Sequence, residues 1–228
     1  MKVLISTSQH PASAQLVQML VGAEVVFGDC CVSYPSQQSN SLAHQILTFC
    51  LDQQVTEVFP LRFTELKALQ NAKVLFEEFG IKVFAPDLVF SKPAALADSY
   101  ASLSSSLLKL GYPNRQVALA DADGRGGLIT IDDAVKEPSQ IWSGIQSLNF
   151  TQLGKWFNQA AFKTLACYNI GESLQQHYVL LREQKISCVQ NLDAEILKRV
   201  QQKLKGVEGL YHLAASENEI LRLTPAVI

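Results

Sequence analysis

Over roughly the first 85 positions, short apolar runs alternate with stretches of helical period. Lys2–Ile5 is an apolar run of strand length, and Pro11–Leu20 predicts a helix with Pro in its first turn, where a missing N–H is harmless. Glu24–Phe27 predicts a second strand, and the polar, aperiodic stretch Ser33–Asn40 an exposed loop. Ser41–Leu51 is amphipathic, with Leu42, Ile46 and Phe49 on one side, and Glu57–Phe59 is a strand ending at Pro60. The clearest helix comes next. Thr64 stands at the expected cap, Leu66, Leu69, Phe76 and Phe79 recur at helical spacing, and Gly80 is the stop. Ile81–Phe84 is a strand closed by Pro86. Strands alternating with helices predict a parallel sheet with right-handed crossovers.

After Ser91-Lys92-Pro93 the pattern changes. Ala94–Leu110 predicts a helix, and Gln116–Ala120 and Gly127–Ile131 two strands with the turn signal Asp123-Gly124 between them. Helical segments are expected near Ile141 and over Leu153–Ala161, then strands over Lys163–Tyr168, Gln176–Leu181 and Ile186–Val189. Asp193–Lys205 is a helix, apolar at Ile196, Leu197, Val200 and Leu204 and stopped by Gly206. Strands Gly209–Ala214 and Glu219–Leu223 close the chain, joined by Ser216-Glu217-Asn218. Antiparallel neighbours dominate here, so a boundary is expected near residue 92, dividing the chain into 1–92 and 93–228.

Composition changes this picture little. The 19 basic and 21 acidic side chains leave a formal charge of −2, which gives no footprint for nucleic acid or an anionic membrane but leaves room for a small anionic ligand. The apolar start stops at Ser6 with no cleavage site after it, and no run reaches the length of a membrane span, so a cytoplasmic protein is expected. Cys30, Cys31, Cys50, Cys167 and Cys188 form no CxxC pair and are expected to be reduced, packed thiols; adjacent Cys30-Cys31 is the one unusual spacing.

Asp123-Gly124-Arg125-Gly126-Gly127 carries bare backbone N–H groups and a guanidinium, a combination suited to phosphate; a plain hairpin tip is the competing reading. Ser6–His10 comes after the first strand where a dinucleotide-binding GxGxxG would stand, which excludes a Rossmann dehydrogenase. His10, His44, His177 and His212 are scattered without metal-site spacing and are expected at surfaces or edges, and no serine sits in a GxSxG elbow. Asp121, Asp123, Asp132 and Asp133 could hold a metal or a proton, but Asp121 and Asp123 fit the turn equally well, and Asp132 and Asp133 can cap the next segment.

Taken in order, these segments resemble the ATP-grasp superfamily, in particular ligases like carbamoyl-phosphate synthase and biotin carboxylase. Val55-Thr56-Glu57-Val58-Phe59-Pro60, the helix after it and Gly80-Ile81-Lys82-Val83 resemble the end of the pre-ATP-grasp domain. Asp98-Ser99-Tyr100 falls where the family opens its ATP-grasp module with Asp-Lys, and the family's next stretch is missing, because Leu107–Leu110 runs directly into Gly111-Tyr112-Pro113. The resemblance implies an α/β fold: an N-terminal open parallel-sheet pre-ATP-grasp domain, then a reduced α+β ATP-grasp-like domain with antiparallel strands. It also implies a nucleotide on Gly124, Arg125, Gly126 and Gly127 and on Tyr168, Asn169 and Ile170. The last three lie in Cys167-Tyr168-Asn169-Ile170-Gly171-Glu172, which is similar to the hinge that holds adenine through backbone groups.

Several side chains depart from the family pattern. The lysine that contacts phosphate on the strand Val117–Asp121 matches Ala120, and the hinge glutamate matches Cys167. In Leu221-Arg222-Leu223-Thr224-Pro225-Ala226 the metal-binding Glu and Asn match Arg222 and Thr224, Ala226 takes the place of an arginine, and His212 falls near the remaining ligand position. Mg²⁺ needs hard oxygen ligands, so the metal is disfavoured. The expectation is a degenerate relative with no catalytic and no metal-binding residues: a partner of an active ligase or of itself, or a binder of ATP, another nucleotide or a small anion. A divergent carboxylate–amine ligase using Arg125, Lys185 or Arg222, and a ligand-free scaffold for protein interaction, are the alternatives.

Overall fold

The strand β1 (Lys2–Ile5) is the centre from which the first sheet grows. The chain continues through α1 (Ala12–Met19), β2 (Glu24–Phe27), α2 (Leu42–Asp52), β3 (Glu57–Phe59), α3 (Phe63–Glu78) and β4 (Lys82–Val83). The sheet order is β2-β1-β3-β4, and every pair is parallel. Alternation along β1 sorts its side chains. Leu4 packs with Ile46 and Phe49 of α2 and with Leu69 and Phe76 of α3, whereas Val3 and Ile5 pack with Ala12 and Leu16 of α1. Such a sheet, with apolar helices on both faces, is what the alternating pattern predicts. This is a computed structural model, and it describes all residues except 88–89, 123–127, 142–143, 160–163, 171–173, 217–218 and 228; of 90, 139–141, 144–146 and 159 it describes the backbone.

The middle of the chain forms β5 (Phe90–Ser91), β6 (Ala95–Ala97), α4 (Tyr100–Lys109), β7 (Val117–Asp121), β8 (Ile129–Ile131), β9 (Ser139–Ile141), β10 (Gly144–Leu148), α5 (Phe150–Gln159) and β11 (Leu165–Asn169). These include a six-stranded sheet of order β6-β11-β7-β8-β10-β9, antiparallel except where β10 runs parallel to β8. Period two again assigns the faces. Val117 and Leu119 of β7 and Leu165 and Cys167 of β11 pack with Leu103 and Leu107 of α4 and Leu153 of α5. Ala118, Ala120, Ala166 and Tyr168 turn to the opposite face. The chain ends in β12 (Gln175–Arg182), β13 (Lys185–Ser187), α6 (Ala194–Leu204), β14 (Gly209–Ala215) and β15 (Ile220–Pro225), with the strand order β13-β12-β14-β15-β5.

The α/β class expected from the sequence, parallel first and antiparallel after, is the one observed. Two compact units result: Met1–Leu88 with Tyr178–Tyr211 and Pro225–Ile228, and Val89–His177 with His212–Thr224. The compact units change near residue 88 and again at three later points.

Other local expectations need correction. The helix expected over Ala94–Leu110 starts only at Tyr100, because Ala95–Ala97 pairs with Leu165–Cys167 as a strand. Ser99 then caps α4, its side chain and that of Ser102 bonding each other's backbone N–H. The segment at Ile141 is strand, paired with Gly144–Ser147, and not helix. Thr64 lies inside α3, whose N-cap is Arg62; its hydroxyl instead donates to Gln37 Oε1 at 3.0 Å. Phe79 is exposed, since it lies just past the last turn of α3, and Gly80 at φ +71° ends the helix as expected. His10 is buried rather than at a surface, and Cys30 is exposed rather than packed.

Candidate functional site

Ala120, Cys167, Tyr168, Asn169, His212, Arg222 and Thr224, singled out by the resemblance, fall in the second unit, on β7, β11, β14 and β15; Ala226 lies in the first unit, just past β15. β7 is buried along its whole length, and β11 pairs with it so that Tyr168 faces Ala118 and Ala166 faces Ala120. Beyond the sheet's helix-free face, Ala118, Ala120, Ala166, Tyr168 and Ile170 form one apolar cluster with Leu128, Ala214 and Leu221. Each of these side chains is buried. The Tyr168 hydroxyl is hydrogen-bonded to that of Ser91.

Among the described residues Arg222 is the largest fully buried side chain, and Thr224, two residues on, is also fully buried. Burial pulls the guanidinium below its ordinary pKa, and the fields of Tyr168 and Asp121 act in the other direction. An arginine stays protonated over the whole accessible range, so β15 carries a fixed internal cation. On β14, His212 is buried, with Nε2 at 3.1 Å from Gln176 Oε1. Cys167 points into the helix-packed core, where burial raises its thiol to about 11 and keeps it protonated and inert.

Of the expected nucleotide contacts, Tyr168, Asn169 and Ile170 lie together at the end of β11. Asn169 pairs with Val117, and the Ile170 N–H donates to the Gln116 carbonyl at 3.1 Å. Gly124, Arg125, Gly126 and Gly127 lie outside the described residues. Among the described residues no group of three or more His, Cys, Asp or Glu side chains could hold a metal ion, and no helix is long and apolar enough to cross a membrane. At the positions matched to Mg²⁺ ligands stand a buried cation, a hydroxyl and an imidazole, and this donor set does not fit the ion.

No protein-family model matches the chain, and no curated protein sequence does. The solved structures to which it is similar include ATP-grasp ligases. One is N5-carboxyaminoimidazole synthase from Aspergillus clavatus in complex with ADP, at 10% identity and TM-score 0.49, over 98% of this chain and 68% of that one. A second is the ATP-grasp ligase PsnB complexed with a phosphomimetic variant of its minimal precursor, Mg and ADP, at 11% identity and TM-score 0.44, over 100% and 88%. The biotin carboxylase domain dimer of the Hydrogenobacter thermophilus 2-oxoglutarate carboxylase is a third, at 13% identity and TM-score 0.46, over 99% and 58%.

Sequence patterns missed a second polar constellation, at the carboxyl ends of β1, β2 and β3 in the first unit. Asp29 accepts from the Thr7 hydroxyl at 2.8 Å and from the Ser8 N–H at 2.9 Å. Burial pushes its carboxyl up, but the bonds from Thr7 and Ser8 and the nearby Arg62 outweigh that and hold it below the usual carboxylate range. Arg62 Nη1 donates to Glu65 Oε1 at 3.1 Å, and Tyr34 donates to the same oxygen at 3.3 Å. The only signal in the sequence was the unperiodic polar run Ser33–Asn40, which marks a loop without saying what it covers.

Proposed function

We propose that this chain is a non-catalytic relative of the ATP-grasp ligases, a binding protein in which the ligation chemistry has been lost. The observation that carries this reading is Arg222. It is fully buried on β15 at the position that the sequence resemblance matches to a metal-binding glutamate. Phosphoryl transfer depends on cations that neutralise charge as it develops on the moving phosphate. A buried guanidinium in the fields of Asp121 and Tyr168 repels a divalent ion. Ala120, buried on β7, offers no ammonium in compensation.

Any nucleotide that the protein takes is held without Mg²⁺, at the end of β11 around Tyr168, Asn169 and Ile170 and at the loop Gly124–Gly127. Calorimetry with ATP, with and without Mg²⁺, beside a phosphate-release assay on the purified chain, tests the reading. The expected result is no turnover and no gain in affinity from the metal. Mg²⁺-dependent ATP hydrolysis that disappears on Gly126→Val would show that the chemistry survives, and would end the proposal.

A further inference from the structure

In open α/β sheets, ligands bind outside the carboxyl ends of the strands, where successive connections leave in opposite directions along the sheet. The first unit has that point at β1, since β2 lies on one side of it and β3 on the other. The chain beyond these strands is built as a rigid floor. Ser6 accepts from the Leu61 N–H at 2.9 Å, tying β1 to the segment after β3, and Asp29 ties it to the segment after β2. The loop after β2 is pinned above that floor. The Tyr34 ring lies so close to Gly28 that a Cβ there would stand 2.8 Å from it, and it meets Phe49 edge-on at 5.2 Å. Gln37 accepts the hydroxyl of Thr64.

Between floor and loop lies a cavity of about 590 Å³, lined by Asp29, Arg62, Ser36, Gln37, Gln38 and Thr64 among others. That volume is in the range of small-molecule sites. Arg62 and Asp29 both line it, their nearest charged atoms 3.9 Å apart, so one wall presents a positive and a negative group side by side. Arg62 spends Nη1 on Glu65, and its Nη2 stands 3.9 Å from Asp29, beyond hydrogen-bond distance, so the Nε–Nη2 edge keeps the planar fork that fits a carboxylate. Asp29, Arg62 and Glu65 together sum to one negative charge, and the second oxygen of the fully buried Glu65 has no hydrogen-bond partner. A simple anion would add to that excess, and a simple cation would face the fork and the amides of Gln37 and Gln38. A zwitterion meets both groups and adds no net charge.

We infer that this cavity is a binding site for a small zwitterion of the amino-acid type, its carboxylate on Arg62 and its ammonium toward Asp29. The site lies wholly in the first unit and stands or falls independently of Arg222. Calorimetry and amide NMR on the full chain would use L-alanine and L-glutamine, with propionate, ethylamine and inorganic phosphate as single-charge probes. The expected result is saturable binding of at least one amino acid, with each single-charge probe at least tenfold weaker. Arg62→Lys should weaken binding at least tenfold. Ser36→Trp fills the exposed wall without touching the buried charges, and should abolish binding with the thermal transition unchanged. The inference is overturned if neither amino acid saturates, if propionate or phosphate binds as tightly as the amino acid, or if binding survives Ser36→Trp.

Discussion

Acidification below about pH 6.5 should destabilise this protein through His10. The ring is buried: Nδ1 accepts from the Ala12 N–H at 3.0 Å, the other nitrogen bonds the Val227 backbone, and Tyr178 packs edge-on at 5.7 Å. Burial pulls its pKa from 6.5 to about 4, with the Val227 bond acting weakly in the opposite direction. Between these values the unfolded chain binds a proton that the folded chain refuses. The stability is therefore complete above pH 6.5 and drains away as the pH falls toward 4. At about 1.4 kcal/mol per pKa unit the full loss is roughly 3 kcal/mol, of which about 2 kcal/mol is gone at pH 5. That is a large share of the stability of a typical domain.

Urea denaturation at pH 7, 6, 5 and 4.5 measures it, with His10→Asn as reference, because the Asn carbonyl can replace Nδ1 as acceptor without titrating. The wild type should lose about 2 kcal/mol more than the variant between pH 7 and 5. Parallel pH profiles for the two proteins would refute the assignment, as would an NMR titration placing the folded imidazole near its ordinary value.

Other substitutions probe single contacts. Gly28→Ala puts a methyl 2.8 Å from the Ser6 carbonyl and the Tyr34 ring, and should cost about 1–3 kcal/mol in chemical denaturation. Asp193→Ala removes the side chain that accepts the Glu195 N–H at 2.8 Å and caps α6; a loss of about 1 kcal/mol is expected in the same assay. Arg222→Met keeps much of the volume but removes a buried cation in the field of Asp121. Thermal and urea unfolding should report a loss of about 3–5 kcal/mol, and a neutral outcome would mean that Arg222 is packing rather than charge.

The elements most legible in the sequence are those whose local chemistry and burial agree. α6 has Asp193 as cap, Ile196, Val200 and Leu204 buried on one stripe, and Lys205 with φ +47° before Gly206 at its end. The β1–α3 alternation was equally readable, because a parallel sheet covered on both faces needs continuous apolar strands. β6 was not readable. Ala95-Leu96-Ala97 are good helix formers, and only the ladder to β11 makes them a strand. The same limit hid the cavity at Arg62. Asp29, Arg62 and Glu65 are far apart or ordinary in sequence, and only the strand order β2-β1-β3 brings them to one place. Ala120 and Arg222 were singled out as departures from a pattern, but the burial of Ala120 comes from the pairing of β11 with β7, which periodicity does not fix.

That burial couples the departures. Ala118, Ala120, Ala166 and Ala214 are small side chains in one cluster, and their smallness leaves room for Tyr168, whose field reaches Arg222. Ala120→Lys would put a long cationic side chain into this enclosed cluster, so it should destabilise through both volume and a buried charge. Arg222→Glu alone would set a second carboxylate near Asp121. Tyr168 packs with Ala120 and its field reaches Arg222, so the opposite charges of the double variant should make it less destabilised than the sum of the singles. A denaturation cycle over the four proteins measures the coupling. Strict additivity would mean that the two positions do not sense one another. A favourable coupling would mean that the buried charge at position 222 and the small side chain at position 120 depend on one another.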